Sequence, residues 1–227
     1  MSSGDPIVRN ALSIGVATGV YAVSFGVLSV AAGFSVVQTS VMSLVCFTGA
    51  SQLTFASVIA AGGGVAAALP PALLLAARNA LYAFSLRGVL GGTLPERAFR
   101  AQVVVDETTA MAHAQPTLAA KRRAFDLTAL CLFTAWNVGT LVGALAGRGL
   151  GNPRDYGLDA MFPAVFLALL APQLRGPDAL RAAIAGVLIA LALVTITPAG
   201  VPIIASALGA VPVLLAVGRR RRGLVRS

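Results

Sequence analysis

The sequence predicts an all-α integral membrane protein, a polytopic bundle of about seven transmembrane helices. Hydrophobic residues make up 57% of the 227 residues and charged residues only 11%, and the mean hydropathy is +0.86. Charged residues form about a quarter of an ordinary soluble domain, so a soluble fold is excluded. Residues 10–77 contain no Asp, Glu, Lys or Arg. A charge-free run of this length is expected to cross a bilayer more than once.

The first half of the chain, residues 10–86, predicts three spans, at Asn10–Ala32, Val36–Ala61 and Val65–Leu86. The first span carries Gly15 and Gly19 at the GxxxG spacing, which predicts close contact with another helix. Ser35 precedes the second span and is the expected N-cap.

Residues 87–123 form a charged loop that the sequence places in the cytoplasm. Within it, the stretch Ala101–Ala114 is mildly apolar but too short to cross a bilayer. It predicts an interfacial or re-entrant helix.

The second half, residues 124–217, predicts four more spans, at Leu127–Gly147, Leu158–Leu174, Arg181–Thr197 and Val201–Val217. Gly139 and Gly143 again have the GxxxG spacing. A basic tail, residues 218–227, follows and is expected to stay in the cytoplasm. Together the two halves, the loop and the tail predict one membrane domain over residues 1–227.

The distribution of basic residues predicts the orientation of the bundle. Most Lys and Arg residues lie in the loop at 87–123 and in the tail, so this side should be cytoplasmic. Three spans before the loop place the N-terminus outside. The stretch from Gly33 to Gln52 is also similar to the stretch from Gly157 to Gln173, which predicts an inverted 3+3 repeat with interrupted helices.

A cluster of small and polar residues lies in the middle of the second predicted span: Gly49, Ala50, Ser51 and Gln52. Unpaired polar groups in hydrocarbon cost several kcal/mol, so other protein groups or a cavity must satisfy them. One interpretation is close packing of helices through the small residues. The other is that the cluster, with Gln52, lines a substrate cavity.

Arg78 and Asn79 lie inside the otherwise apolar third span. A charge near the centre of a membrane costs about 2.5–3.5 kcal/mol on insertion scales and normally marks a partner or a pathway. We therefore expect Arg78 to pair with an acid of this chain or with a substrate carboxylate. The alternative is that it extends to the membrane surface.

Asp106 and Glu107 are candidates for proton coupling, or for a countercharge to Arg78. Adjacent residues of a helix point about 100° apart, so only one of them is expected to face a given cavity. A solvated charge on a surface helix is the alternative interpretation.

Several kinds of function are not indicated by the sequence. His113 is the single histidine and has no companions at metal-ligand spacing, so we predict no metal and no cofactor. No nucleophile motif is present, which argues against an enzyme. The basic residues lie at the ends of apolar runs, so the net charge of +9 indicates membrane topology and no nucleic-acid partner.

Four motifs occur in order along the chain: AGFS at 32–35, FTGASQ at 47–52, RNALYAFSL at 78–86 and DET at 106–108. Together they resemble the AzlC family, the larger subunits of branched-chain amino acid permeases and exporters. The resemblance implies a small AzlD-like membrane subunit as a partner. Asn79 departs from the pattern, since the family commonly has His after the Arg.

We therefore predict a secondary transporter subunit, multi-pass in the cytoplasmic (inner) membrane, that exports branched-chain or similar apolar amino acids with the proton gradient. The predicted substrate-binding residues are Gly49, Ala50, Ser51, Gln52, Arg78 and Asn79, and the predicted proton-coupling residues are Asp106 and Glu107. The alternative is a non-transporting scaffold or assembly subunit of a larger complex.

Overall fold

The computed structural model describes residues 5–149, 167, 170–171, 174–198, 200–213 and 215–216. Within these residues all regular secondary structure is helical, as predicted. The helices with described bounds are α1 (Pro6–Ala31), α2 (Val36–Val45), α3 (Gly49–Ala60), α4 (Val65–Ser85), α5 (Leu94–Gln102), α6 (Asp106–His113), α7 (Leu118–Gly149), α8 (Pro177–Leu193) and α9 (Val201–Ser206), which a 3₁₀ turn at Ala207–Ala210 continues.

Three of the described helices, α1, α4 and α7, are long and apolar enough to cross a membrane. The predicted count of about seven spans is not confirmed in the described part of the chain. The predicted span Leu158–Leu174 lies almost wholly outside the described residues, and so does the second copy of the predicted repeat, from Gly157 to Gln173. The division of the chain into two halves and a loop stays a prediction.

The two predicted GxxxG faces pack against each other. Gly15 lies against Cys131 and Gly19 against Ala135, each 3.1 Å from where a glycine Cβ would stand. The residue numbers of the contacting positions increase in the same direction along both helices, so α1 and α7 run parallel. A Cβ on Gly143 would collide with the α1 backbone, so glycine permits this close approach. The pair contributes much of the buried core of the bundle.

The predicted second span, Val36–Ala61, is wrong as a continuous crossing. The helix is interrupted at Cys46–Thr48, and the chain doubles back through α3. The rings of Phe34, before α2, and Phe55, in α3, have centroids 6.0 Å apart, whereas 21 residues of one helix would separate them by about 30 Å. Ser35 is the N-cap of α2, as predicted, and it also forms a capping box with Gln38. The pair α2–α3 is therefore a hairpin.

The predicted helix Ala101–Ala114 is also interrupted. Val103–Val105 is not helical and is buried between α5 and α6. A run of three β-branched residues favours an extended backbone over a helix. α6 begins at Asp106 and ends at His113.

The helices α5 and α6 form a second hairpin, which leaves and returns to one face of the bundle and has its tip at Val103–Val105. The Arg122 guanidinium in α7 donates to the Gly88 carbonyl after α4 at 2.9 Å. Arg100 in α5 forms two bonds to the Asp126 carboxylate in α7, at 2.9 and 3.0 Å. The end of α4, the helix α5 and the beginning of α7 thus share a face. The α2–α3 hairpin enters from the opposite face, because it follows the far end of α1.

The N-terminus lies on the same face as the charged loop. The Asp5 carboxylate accepts from the Arg123 guanidinium at 2.7 Å. The Ile7 amide and Arg123 hold the pKa of Asp5 below its ordinary value. The prediction that the N-terminus and the loop at 87–123 lie on opposite sides is therefore wrong. It counted α2–α3 as a crossing, whereas the hairpin returns to the face it entered.

This arrangement predicts that a single cysteine near the N-terminus and a single cysteine in the loop at 87–123 are labelled from the same side of the membrane. In a background lacking Cys46 and Cys131, Arg9→Cys and Arg97→Cys should both react with an impermeant maleimide in inside-out vesicles and be protected in right-side-out vesicles. The sidedness follows because basic loops stay in the cytoplasm. Labelling of the two variants from opposite sides would contradict the hairpin arrangement.

Candidate functional site

A cavity of about 580 Å³ lies between the long helices and the tips of the two hairpins. Its walls come from α1, the interruption before α3, α4, the beginning of α6 and α7. Volumes of this order are typical of small-molecule sites. The cavity is lined by polar groups on the hairpin tips and on α4, including Arg78, and by aromatic and aliphatic groups.

The N-terminus of α3 faces the cavity. Gly49 and Ala50 are its first two residues, and both line the wall. Amides in the first turn of a helix have no helical acceptor, and no side chain caps this helix. Uncapped amides at a helix N-terminus attract an anion such as a carboxylate.

Gly49 also allows a close approach to the aromatic wall. A Cβ at this position would stand 2.7 Å from the Trp136 ring. Trp136 is only 3% exposed, and its ring packs against Tyr21, Phe25 and Phe47 with centroids 5.8, 5.8 and 6.5 Å away. The hairpin tip therefore rests on an aromatic cluster anchored in α1 and α7.

Three of the residues predicted to bind substrate lie outside the cavity lining: Ser51, Gln52 and Asn79. The Ser51 hydroxyl lies 3.3 Å from the Thr48 hydroxyl. The Gln52 amide donates to the Met42 carbonyl at 2.8 Å, which joins α3 to α2. The geometry favours the packing interpretation for Gln52.

Arg78 pairs with Asp106 across the cavity. The guanidinium of Arg78 in α4 lies 3.0 Å from the carboxylate of Asp106 in α6, and the two side chains are 38% and 39% exposed. The sequence predicted this acid as one of two kinds of partner for Arg78. Both residues line the cavity, so the pair fixes the α6 tip to α4.

Glu107 lines the cavity beside Asp106. The expectation that only one of the two carboxylates could face a cavity is therefore wrong. It assumed that the side of a helix borders the cavity, whereas the first turn of α6, which carries both residues, borders it with its end. Among the described residues, Asp106 is in an ion pair and Glu107 is not.

Sequence reasoning missed much of the cavity wall, including Tyr21, Tyr82 and Trp136. The available signal was weak, since a single aromatic residue in an apolar span is ordinary. Asn137, next to Trp136, accepts from the Ser43 hydroxyl of α2 at 2.7 Å. Polar residues near the middle of two apolar segments could have indicated this contact.

His113 lies apart from the cavity, at the end of α6. Its ring nitrogen lies 2.9 Å from the Thr109 carbonyl. Within the described ranges, no three His, Cys, Asp or Glu side chains stand close enough to hold a metal ion.

Known proteins that resemble the chain are membrane proteins. An "Uncharacterized membrane protein" of Archaeoglobus fulgidus is 35% identical over 82% of this chain and 83% of its own length. The "Inner membrane protein YgaZ" of Escherichia coli is 29% identical, over 77% of this chain and 76% of its own length. A further "Uncharacterized membrane protein", of Helicobacter pylori, is 26% identical over 74% of each chain. No solved structure matches.

The sequence model of the AzlC protein family matches residues 13–150. This range contains α1 to α7 almost completely, and with them both hairpins and the polar part of the cavity. The match covers more than half of the chain, and the archaeal relative extends the similarity over most of it. The chain belongs to the AzlC family, a family of membrane transport proteins.

Proposed function

We propose that this chain is a secondary transporter subunit that exports branched-chain or similar apolar amino acids across the cytoplasmic membrane, coupled to the proton gradient. The observation that carries the proposal is the cavity between the hairpin tips, which combines an uncapped helix N-terminus, two carboxylates and an arginine. Interrupted helices with their ends at a central site are the usual plan of secondary transporters.

The cavity offers complementary groups for each part of an amino acid. The amides of Gly49 and Ala50 would bind the carboxylate. Glu107 would bind the ammonium group, or exchange its proton when the substrate leaves. Leu75, Leu132 and other apolar lining residues would contact an aliphatic side chain, because burial of apolar surface favours it.

The Arg78–Asp106 pair would keep this site in shape. It joins α4 to the tip of α6, so the position of Glu107 depends on it. An arginine engaged by an acid is a weaker ligand for a substrate carboxylate than the free helix N-terminus opposite. We therefore assign the substrate carboxylate to α3 and the positioning of α6 to Arg78.

We extend the proposal to a small AzlD-like membrane subunit as a partner. Its support is the family to which the chain belongs and the low burial of α4, of which only Ala68, Pro71 and Ala72 are buried. A second subunit or lipid would cover the remaining apolar surface of this helix.

The test is amino acid flux in proteoliposomes that contain this chain with and without the small subunit. An imposed proton gradient should drive valine or leucine transport, and an uncoupler should abolish it. Glycine and lysine serve as control substrates, because they lack an apolar side chain or carry an extra charge. Absence of flux with the small subunit present would favour the scaffold alternative.

A further inference from the structure

The C-terminal end of α2 is exposed at Leu44, Val45 and Cys46 and directly precedes the cavity-lining residues Phe47 and Thr48. The last carbonyls of a helix accept no hydrogen bond from an amide of the same helix. In a membrane interior such groups need another donor. α2 ends at Val45, and Cys46 is its C-cap. The carbonyls exposed by this interruption are therefore places where other parts of the chain can attach.

Two glutamine side chains donate to carbonyls at this end of α2. Gln52, of the same hairpin, donates to the Met42 carbonyl at 2.8 Å, and this carbonyl also accepts from the Cys46 amide at 2.9 Å. Gln102, from the end of α5 in the other hairpin, donates to the Val45 carbonyl at 2.5 Å and approaches the Leu44 carbonyl at 3.4 Å. The first contact stabilises one hairpin, whereas the second joins two hairpins that enter from opposite faces.

The position of Gln102 places this contact beside the functional groups. It directly precedes the buried segment Val103–Val105, which leads to Asp106 and Glu107. On the other side of the contact, Val45 is four residues before Gly49. A single amide group thus joins the chain segment that carries the carboxylates to the segment that carries the helix N-terminus.

We infer that Gln102 is a positioning residue, a latch that holds the two hairpin tips together and must release in each transport cycle. The inference rests on the proposed function. In this inference, a solute leaves towards a face when the hairpin that enters from that face moves. The other hairpin must stay closed meanwhile, and the bond from Gln102 to Val45 then breaks.

The surroundings of Gln102 fit a contact that opens. Its side chain is exposed, so its release displaces no packed core. Arg100, in the last turn of α5 and two residues before Gln102, forms two bonds to Asp126 and a third to the Gly91 carbonyl. The bond from Gln102 to Val45 can therefore break while α5 itself stays attached to α7.

The native Cys46, next to Val45 and exposed, provides the test. In a Cys131→Ala background, the Gln102→Cys variant is treated with the shortest bifunctional thiosulfonate reagent, and valine flux is measured before cross-linking, after it and after reduction. We expect cross-linking to lower the flux at least tenfold and reduction to restore it. The apparent Kd for valine, obtained from the thermal stabilisation that valine gives, should change less than threefold on cross-linking, because the cross-linked state keeps the cavity.

The matched control is Arg97→Cys, an exposed position on the same helix, which should not cross-link to Cys46. Full flux in the cross-linked protein would overturn the latch, and so would a cross-linking yield no higher than that of the control. If the Gln102→Cys variant before cross-linking neither binds nor transports any apolar amino acid, the proposed substrate class is rejected instead. In that case the cross-linking yield would still report whether the hairpin tips meet.

Discussion

Replacing Arg78 by Gln is expected to lower valine flux about tenfold to a hundredfold while the protein still inserts into the membrane. The change leaves Asp106 without its partner at 3.0 Å. Breaking a buried charge pair costs about 2–5 kcal/mol, and the partial exposure of both side chains reduces this to about 1–3 kcal/mol. Each 1.4 kcal/mol corresponds to a factor of ten. Flux in proteoliposomes at equal protein content is the measurement.

The double variant Arg78→Gln with Asp106→Asn separates pairing from substrate binding. If Arg78 acts by holding α6, removal of both charges eliminates the cost of an unpaired charge, and flux should recover to within about tenfold of the parent. Arg97→Gln, exposed on α5, is the control and should change flux less than twofold. A double variant no better than either single variant would contradict the pairing role.

Much of the fold follows from hydropathy. The long helices α1 and α4 coincide closely with the predicted spans at 10–32 and 65–86, and α7 contains the predicted span at 127–147 but begins nine residues earlier, at Leu118. A continuous apolar run in a membrane has only the helix available to satisfy its backbone. The GxxxG pairs likewise predicted a close helix contact. The α1 backbone lies so close to Gly143 that there is no room for a side chain at this position.

The hairpins could not be predicted in the same way. Residues 36–61 have the length and apolarity of a crossing, and nothing in hydropathy distinguishes one span from two half-length helices. The interruption depends on contacts such as Gln52 with Met42, across the hairpin, and Ser43 with Asn137, which lie 94 residues apart in sequence. This single difference also reversed the predicted side of the N-terminus.

The candidate site was predicted in part. Arg78, Asp106 and Glu107 stand out because a charge inside an apolar protein is costly and needs a reason. Gly49 and Ala50 were found through an unusual polar cluster, but the sequence does not distinguish Gln52, which joins two helices, from a residue that faces the cavity. The aromatic wall around Trp136 has no comparable signal.

Replacing Glu107 by Gln is expected to lower the accumulation of valine driven by a proton gradient at least a hundredfold. Valine exchange at equilibrium should persist. Glu107 lines the cavity and, among the described residues, is not part of an ion pair. It can therefore gain and lose a proton without breaking the Arg78–Asp106 contact. Gln has the same shape and hydrogen-bonding reach but carries no exchangeable acid proton.

The two measurements divide proton coupling from substrate movement. Exchange of labelled for unlabelled valine needs the cavity and the movement of both hairpins but no net proton transfer. Loss of one typical hydrogen bond costs about 0.5–1.5 kcal/mol, so exchange should fall only about twofold to twelvefold. Uphill transport needs the proton. Its dependence on external pH should vanish in Glu107→Gln, because the titrating group is gone.

The matched control is Glu96→Gln, which removes a carboxylate from the exposed α5, where Glu96 accepts from the Thr93 amide at 2.8 Å outside the cavity. It should leave accumulation and exchange within about twofold of the parent, since a helix cap contributes about 1 kcal/mol to local stability and none to coupling. Glu107→Gln with intact uphill transport would show that another group carries the proton, and loss of exchange as well would make Glu107 a substrate ligand in place of a proton carrier.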